Sequence, residues 1–167
     1  MKMSLHNPLP LLALLLPLIS ATVSDCGSQW PLRAFSVDPP GIVGAGQNVT
    51  FSITFLVPFV IDPHTAEAQP FSDGQISIYG ALPGIGDIEV TESLCKHLSC
   101  PLTAGIYNWS WTSPFPEDMY GRVETRIRLH HVLATDNRSW VCVRWVAFAT
   151  GRPSNATSNP VIRWLFS

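Results

Sequence analysis

Regular alternation of apolar and polar residues is the feature that most restricts how this chain can fold. The segment Asn48–Val57 places every second side chain on one apolar face, namely Val49, Phe51, Ile53, Phe55 and Val57. The segment Ile106–Thr112 alternates in the same way, with Tyr107, Trp109 and Trp111 on one face and Asn108 and Ser110 on the other. A period of two residues is typical of a β-strand with one buried and one solvated face.

Further segments complete an all-β pattern. We expect long strands at Arg122–Leu133, where Ile127 and Leu129 share the apolar face, and at Trp140–Thr150. Shorter strands are predicted at Arg33–Val37, Gln75–Tyr79, Ile85–Val90 and, as a further candidate, Val161–Phe166. Clusters of Pro, Gly, Asp and Ser separate these segments, and no segment has a credible helical period. The pattern predicts a sandwich or a barrel of short strands.

The N-terminal segment has the composition of a secretory signal peptide. Lys2 precedes the apolar run Leu9–Ile19, and small residues follow it. A membrane anchor is the alternative, but about 11 apolar residues are fewer than the roughly 20 that cross a bilayer. We therefore expect residues 1–23 to be a signal peptide, residues 24–150 to form one domain, and residues 151–167 to be a C-terminal extension.

The composition provides for one hydrophobic core and argues against nucleic acid as a partner. Apolar residues make up 46% of the chain and charged residues only 13%. Without Lys2, 9 basic side chains remain beside 12 acidic ones. The mature chain therefore lacks the basic surface that neutralises phosphate groups.

The four cysteines indicate two disulfides, because an even count in a secreted chain favours pairing. Three connectivities are possible. Cys95 and Cys100 are close enough to close a small loop, which leaves Cys26 to pair with Cys142. A metal site is not expected, since zinc sites need a second close pair of Cys or His residues.

Four sequons follow the leader and predict an N-glycosylated protein that passes through the secretory pathway. Their asparagines are Asn48, Asn108, Asn137 and Asn155. Asn48 and Asn108 fall on the polar faces of their strands, as a glycan requires. We expect the protein to be secreted, or to reside in the lumen of the endosome, lysosome or vacuole.

Several short motifs, taken together, resemble the ML lipid-recognition domain family. They are Asp25-Cys26-Gly27, Gly46–Phe51, Leu94-Cys95, Ser99–Leu102, Gly105–Tyr107 and Trp140-Val141-Cys142. The resemblance covers about Ser24 to Thr150, and its most specific part is the small cysteine loop that ends in Cys100-Pro101. The family includes the Niemann–Pick type C lysosomal sterol carrier and the phosphatidylglycerol/phosphatidylinositol transfer proteins.

The resemblance implies an immunoglobulin-like β-sandwich of two antiparallel sheets with an apolar cavity between them. The sequence departs from the sterol carriers, which have an additional small disulfide loop after the first strand. No cysteine lies in the corresponding segment, Asp38–Gly46, so the resemblance does not fix the ligand. A bound sterol or phospholipid is the expected ligand, and no cofactor is expected.

A lipid cavity needs apolar walls, and the strand patterns offer eight candidates. They are Phe51, Ile53, Phe55, Tyr107, Trp109, Trp111, Ile127 and Leu129. The alternative is that these side chains form the ordinary core of a filled sandwich.

The resemblance places the mouth of the cavity near Pro114–Tyr120. Phe115, Met119 and Tyr120 are the large apolar residues there, and Ile85 and Ile88 are further candidates. An exposed apolar rim would admit the lipid and touch a membrane transiently. The alternative is that these residues cap the core.

Arg122, Arg126 and Arg128 alternate along one strand and form a basic row. Such a row attracts anionic lipid head groups, or it is a solvated sheet face paired with acids such as Glu124.

Catalysis is not expected, because the sequence lacks the Gly-x-Ser-x-Gly, phosphate-loop and His-Glu-x-x-His motifs. We therefore interpret the chain as a secreted lipid-binding or lipid-transfer protein that is not an enzyme. A receptor or a transporter protein would be a further partner. The alternative interpretation is a secreted protein-binding module, of the co-receptor or adhesion type, with a filled core.

Overall fold

The protein is a sandwich of two β-sheets. A computed structural model describes residues 22–62, 64–68, 70–83, 86–117, 119–131 and 139–151. The strands are β1 (Thr22–Asp25), β2 (Leu32–Asp38), β3 (Ile42–Val43), β4 (Asn48–Val57), β5 (Gly74–Leu82), β6 (Gly86–Ser93), β7 (Gly105–Pro114), β8 (Tyr120–His131) and β9 (Val141–Thr150). A short 3-10 helix, Leu94–Lys96, follows β6.

The larger sheet has six strands, in the order β1-β9-β8-β5-β6, with the two-residue β3 paired in parallel to β9. The smaller sheet has the order β2-β4-β7. The other pairings are antiparallel. This arrangement confirms the all-β, immunoglobulin-like sandwich. No helix in the described part of the chain has the length and hydropathy needed to span a bilayer.

The strands follow the alternation seen in the sequence. Along β4, the side chains of Val49, Phe51, Ile53, Phe55 and Val57 are buried, while the residues between them are more exposed. Along β8, Val123, Thr125, Ile127 and Leu129 point inward. Burying one face of each sheet removes apolar surface from water, at about 25 cal/mol per Å², and this burial holds the two sheets together.

An aromatic cluster closes one end of the sandwich. The Trp30 ring stacks on Trp140 at a centroid distance of 4.6 Å and meets Phe71 edge-on at 4.9 Å. The backbone N–H of Trp30 donates to the carbonyl oxygen of Trp140 at 2.7 Å. This cluster joins the segment before β2 to the segment before β9.

Two disulfides constrain the chain, with the connectivity favoured from spacing. Cys26 is bonded to Cys142, and Cys95 is bonded to Cys100. The small loop is anchored by Leu94 and Leu102, which are both fully buried. Gly74 permits this anchoring, because a Cβ at that position would lie 2.7 Å from Leu94 Cδ2.

Several predicted features lie outside the described residues. They are the leader up to residue 21, Ile85, Leu133, the sequons at Asn137 and Asn155, and residues 152–167 with the strand candidate Val161–Phe166. The signal peptide, the domain bounds and the C-terminal extension therefore stay predictions.

The two disulfides should contribute unequally to stability. Replacing Cys26 and Cys142 together by Ala opens a loop with a sequence separation of 116, and we expect this change to lower the free energy of unfolding by about 5 kcal/mol. Replacing Cys95 and Cys100 by Ala opens a loop with a separation of 5 and should cost about 2 kcal/mol. Urea unfolding followed by tryptophan fluorescence measures both. Equal losses would contradict this prediction.

Candidate functional site

The predicted lining residues of the smaller sheet form a ladder across β4 and β7. Phe51 pairs with Trp111, Ile53 with Trp109, and Phe55 with Tyr107. The rings of Phe51 and Trp111 stack at 5.7 Å, and those of Phe55 and Tyr107 stack at 6.0 Å. The structure therefore brings together all six residues that the sequence predicted on these two strands.

The larger sheet packs directly against this ladder. Ile127 and Leu129 are buried on the inner face of β8. Trp145 of β9 meets Phe51 edge-on, with a centroid distance of 5.3 Å between the two sheets. The eight predicted residues therefore behave as core: six are buried members of the core cluster, and Tyr107 and Trp111 are half-buried and pack against it. Whether they also line a lipid cavity stays a prediction.

The sandwich is less completely filled where the edge strands β6 and β7 face each other. These strands belong to different sheets. The inward-facing side chains on this side are only half-buried, unlike those at the centre. We call this region the β6–β7 slit and define it by Ile78, Ile88, Val90, Glu92, Tyr107 and Trp111.

A small pocket lies inside the slit. Its volume is about 30 Å³, and it is lined by Ile76, Ile78, Val90, Glu92, His97, Trp109 and Trp111. Cavities that hold drug-sized ligands measure roughly 300–1,000 Å³, whereas a pocket of this size accommodates about one water molecule. As it stands, this pocket is therefore too small to hold a lipid tail.

Three residues that carry polar groups line this otherwise apolar pocket, namely Glu92, His97 and Trp109. Glu92 lies on the inward face of β6, opposite Ile76, and its Oε2 accepts a hydrogen bond from His97 Nε2 at 2.8 Å. The His97 ring meets the Trp109 ring edge-on at 6.3 Å. The Trp109 Nε1–H is buried and has no hydrogen-bond partner among the described residues. Sequence reasoning missed Glu92 and His97.

A second groove lies at the opposite edge of the sandwich, between β1 and β2. Its volume is about 260 Å³, and it is open to solvent. Val23, Leu32 and Phe35 contribute apolar surface, but Asp25 and Arg33 also line it. The slit has the more apolar lining and continues into the aromatic ladder, which makes it the stronger candidate for a lipid tail.

The structure separates the residues predicted at the cavity mouth. Phe115 and Met119 are only 3% and 2% exposed and join the core cluster, as in the alternative in which they cap the core. Two backbone hydrogen bonds hold Phe115: its N–H donates to the carbonyl oxygen of Gln47 at 2.8 Å, and its carbonyl oxygen accepts from the N–H of Gly46 at 3.0 Å. Tyr120 is exposed, and Ile88 is half-buried within the slit. Phe115 and Met119 therefore lack the exposure of an open rim.

The family model of the ML domain matches residues 20–147. The chain belongs to the ML domain family. Members of this family generally bind lipids and are typically not enzymes. The match spans all nine strands except the last residues of β9.

Other comparisons add little to the assignment. A search of curated proteins finds no match. One similar solved structure is a crystal structure of the C-terminal domain of Wzt, at 7% identity and a TM-score of 0.48, covering 83% of this chain and 87% of that one. A likeness of this size carries no functional conclusion.

The outer face of the larger sheet in this ML domain carries the predicted basic row, and acids and arginines pair there. Glu124 accepts hydrogen bonds from Arg144 at 2.6 Å and from Arg126 at 2.8 Å and 2.9 Å. Arg122 lies 3.9 Å from the same carboxylate. The guanidinium of Arg126 also lies over the Tyr79 ring at 5.6 Å. The sequence alternation predicted the row but not Arg144, which enters because β9 pairs with β8 and places Arg144 opposite Arg126.

These contacts shift the proton affinity of Glu124. Hydrogen bonds from Arg144, together with those from Arg126 and the two positive charges, lower the pKa of Glu124 from 4.5 to about 2. The same carboxylate raises the pKa of Arg144. The Glu124 side chain is 13% exposed and its partners are more exposed, so water weakens the interaction.

Two predicted glycosylation sites lie on the outer face of the smaller sheet. Asn48 and Asn108 are both exposed, at positions paired with Pro114 and Thr54. Thr54 Oγ1 donates to Asn108 Oδ1 at 2.8 Å, which leaves the amide nitrogen of Asn108 for a glycan.

In the described part of the chain, no three His, Cys, Asp or Glu side chains are grouped to hold a metal ion.

Replacing Glu124 should change how stability depends on pH. Because the folded-state pKa lies below the value of 4.5, the stabilisation is fully present above about pH 4.5 and is lost as the pH falls towards 2. We expect Glu124→Gln to lower the free energy of unfolding by about 1–3 kcal/mol at pH 7, and the difference from the unmodified protein to shrink below pH 4.5. Urea unfolding at a series of pH values measures this.

The matched control is Glu89→Gln, which removes a carboxylate from the outward face of β6 in the same sheet. We expect a smaller loss for this control. An unchanged difference for Glu124→Gln between pH 7 and pH 2 would show that the ion pairs do not stabilise the fold.

Proposed function

We propose that this ML domain is a secreted or lumenal carrier that holds a sterol or a phospholipid in a hydrophobic cavity between its two sheets. The observation that carries the proposal is the row of half-buried apolar side chains along the β6–β7 slit. Those side chains lead inward to the aromatic ladder of β4 and β7. A lipid tail in the slit would bury apolar surface that water now touches.

The energetics allow the slit to open for a lipid. Each methylene group that leaves water contributes about 0.8 kcal/mol, so a chain of about 16 carbons offers roughly 13 kcal/mol before ordering costs. Separating β6 from β7 breaks side-chain packing but no strand pairing, because the two strands belong to different sheets. The gain from burying the tail acts against the loss of contacts between the edge strands.

The chemistry of the chain fits a secretory compartment. Two disulfides are characteristic of oxidising environments, and the leader and the sequons agree with that location. We propose that the protein works extracellularly or in the endosomal, lysosomal or vacuolar lumen. It needs no cofactor and performs no catalysis in this proposal.

Delivery of a lipid requires contact with an acceptor, either a membrane or a receptor or transporter protein. Exposed apolar side chains lie where β4 ends and β7 begins, at Phe59 and Ile106. Ile106 pairs with Leu56, and Phe59 follows β4 by two residues. We propose that this end of the sandwich makes the transient contact.

A protein-binding module is the second candidate. The observation that favours it is the small volume of the pocket, because an adhesion domain has a core packed close to crystal density. The two candidates differ in whether any lipid enters between the sheets.

The deciding experiment is native mass spectrometry, with organic extraction, of the glycosylated protein purified from a secretory host. A lipid that copurifies, or is taken up from mixed sterols and phospholipids, supports the carrier. A mass without bound lipid after incubation with both lipid classes would contradict the carrier proposal and favour the protein-binding module.

A bulky side chain inside the slit should block uptake. Val90 is half-buried and lines the pocket, so we expect Val90→Trp to lower lipid affinity by about tenfold or more. Thr91→Trp is the matched control, since Thr91 is exposed on the opposite face of β6. Titration with a fluorescent sterol and a fluorescent phospholipid measures both variants. Equal affinity of the two variants would place the lipid elsewhere.

A further inference from the structure

The pocket in the β6–β7 slit combines an apolar lining with a small set of polar groups. Ile76, Ile78 and Val90 provide apolar walls, and the Trp109 side chain also lines the pocket. Glu92 and His97 complete the lining on the side of the cysteine loop. A site of this composition fixes the orientation of an amphiphile, because its few polar groups can satisfy only a small polar end.

The indole N–H of Trp109 is a hydrogen-bond donor in need of an acceptor. The residue is 2% exposed, and Nε1 has no partner among the described residues. A buried donor without a partner costs about 1–3 kcal/mol. Indole can only donate, so the group that satisfies it must carry a hydrogen-bond acceptor, such as an oxygen atom.

Glu92 provides the complementary function. Glu92 occupies an inward position of β6, opposite Ile76, and it lines the pocket together with His97. His97 Nε2 donates to Oε2 of Glu92, and the second oxygen of the carboxylate remains to accept a hydrogen bond. A carboxylate at this place repels an anionic phosphate and accepts from a hydroxyl group.

We propose that this pocket binds the hydroxyl group of a neutral, hydroxyl-bearing lipid. Trp109 donates to the hydroxyl oxygen, and the hydroxyl proton is donated to Glu92. The pocket volume of about 30 Å³ suits a hydroxyl group, which is about the size of one water molecule. This inference rests on the carrier function and narrows its ligand from sterol or phospholipid to a lipid with an uncharged hydroxyl end.

The test uses ligands that differ only at this group. They are a sterol, its methyl ether and its deoxy parent, with a diacylglycerol and its methyl ether in parallel, and phosphatidylmethanol as an anionic lipid that has no hydroxyl group. The ether retains the acceptor but cannot donate to Glu92, and the deoxy parent has neither function. Dissociation constants are measured for the full mature glycoprotein by quenching of tryptophan fluorescence, with native mass spectrometry as a second readout.

Two variants, each with a matched control, separate the role of Glu92 from that of Trp109. We expect the unmodified protein to bind the alcohol about tenfold more tightly than the ether, and Glu92→Leu to abolish that preference. Glu89→Leu is its control, because Glu89 faces outward on the same strand. We expect Trp109→Phe to reduce the preference for the ether over the deoxy parent by about threefold to tenfold.

Trp145→Phe is the control for the second variant. Trp145 is equally buried, but its Nε1 donates to the carbonyl oxygen of Pro40 at 3.3 Å. Thermal unfolding verifies that each variant is folded. If Trp109→Phe fails to fold, the Glu92→Leu comparison decides alone, since Glu92 is 42% exposed and tolerates replacement.

The outcomes distinguish this inference from the carrier function. A preference for the alcohol among the sterols identifies a sterol as the ligand class, and a preference among the diacylglycerols identifies a diacylglycerol. Binding of phosphatidylmethanol as tight as that of the alcohols, or equal binding of alcohol and ether, would overturn the hydroxyl site and leave the carrier intact. Binding of none of these lipids would overturn both.

Discussion

A sheet of three strands cannot cover the inner face of a sheet whose main path has five. The larger sheet runs β1-β9-β8-β5-β6 and the smaller one β2-β4-β7. With strands about 4.8 Å apart, the difference leaves roughly 10 Å of inner face to be covered by side chains and loops. Aromatic residues on β7 extend over part of this width, and the half-buried residues of the β6–β7 slit mark where coverage ends.

The rest of the structure limits where the sheets can separate. On the outer face, Glu124 and Arg144 join β8 to β9, and Arg126 reaches Tyr79 on β5. The Cys26–Cys142 disulfide ties the segment after β1 to β9, and Phe51 and Trp145 pack between the sheets at the centre. None of these interactions joins β6 to β7. Separation of the sheets is therefore expected at the slit, where side-chain packing opposes it and no strand pairing between β6 and β7 has to break.

Much of the fold was predictable because burial of one face imposes a period of two on the sequence. The alternation in Asn48–Val57 and Ile106–Thr112 gave the strands and their inner faces correctly. The sequence did not lead us to Glu92 and His97, the charged and polar residues of the pocket. The expected strand Ile85–Val90 ended before Glu92, whereas β6 continues to Ser93 and keeps Glu92 on the face of Ile88 and Val90. Continuing that alternation by one step would have identified Glu92.

Strand register and loop packing explain the remaining differences between the sequence-based predictions and the structure. Neighbouring strands can pair in several registers with the same alternation, so the position of Arg144 beside Glu124 required the β8–β9 pairing itself. Phe115 and Met119 lie in a loop, where no period indicates which side chains are buried.

Because Glu124 binds Arg126 and Arg144 on the outer face, these guanidinium groups lie on the opposite side of the sheet from the slit. Attraction of an anionic head group to them would hold the lipid away from its entry point, whereas an uncharged polar end experiences no such competition.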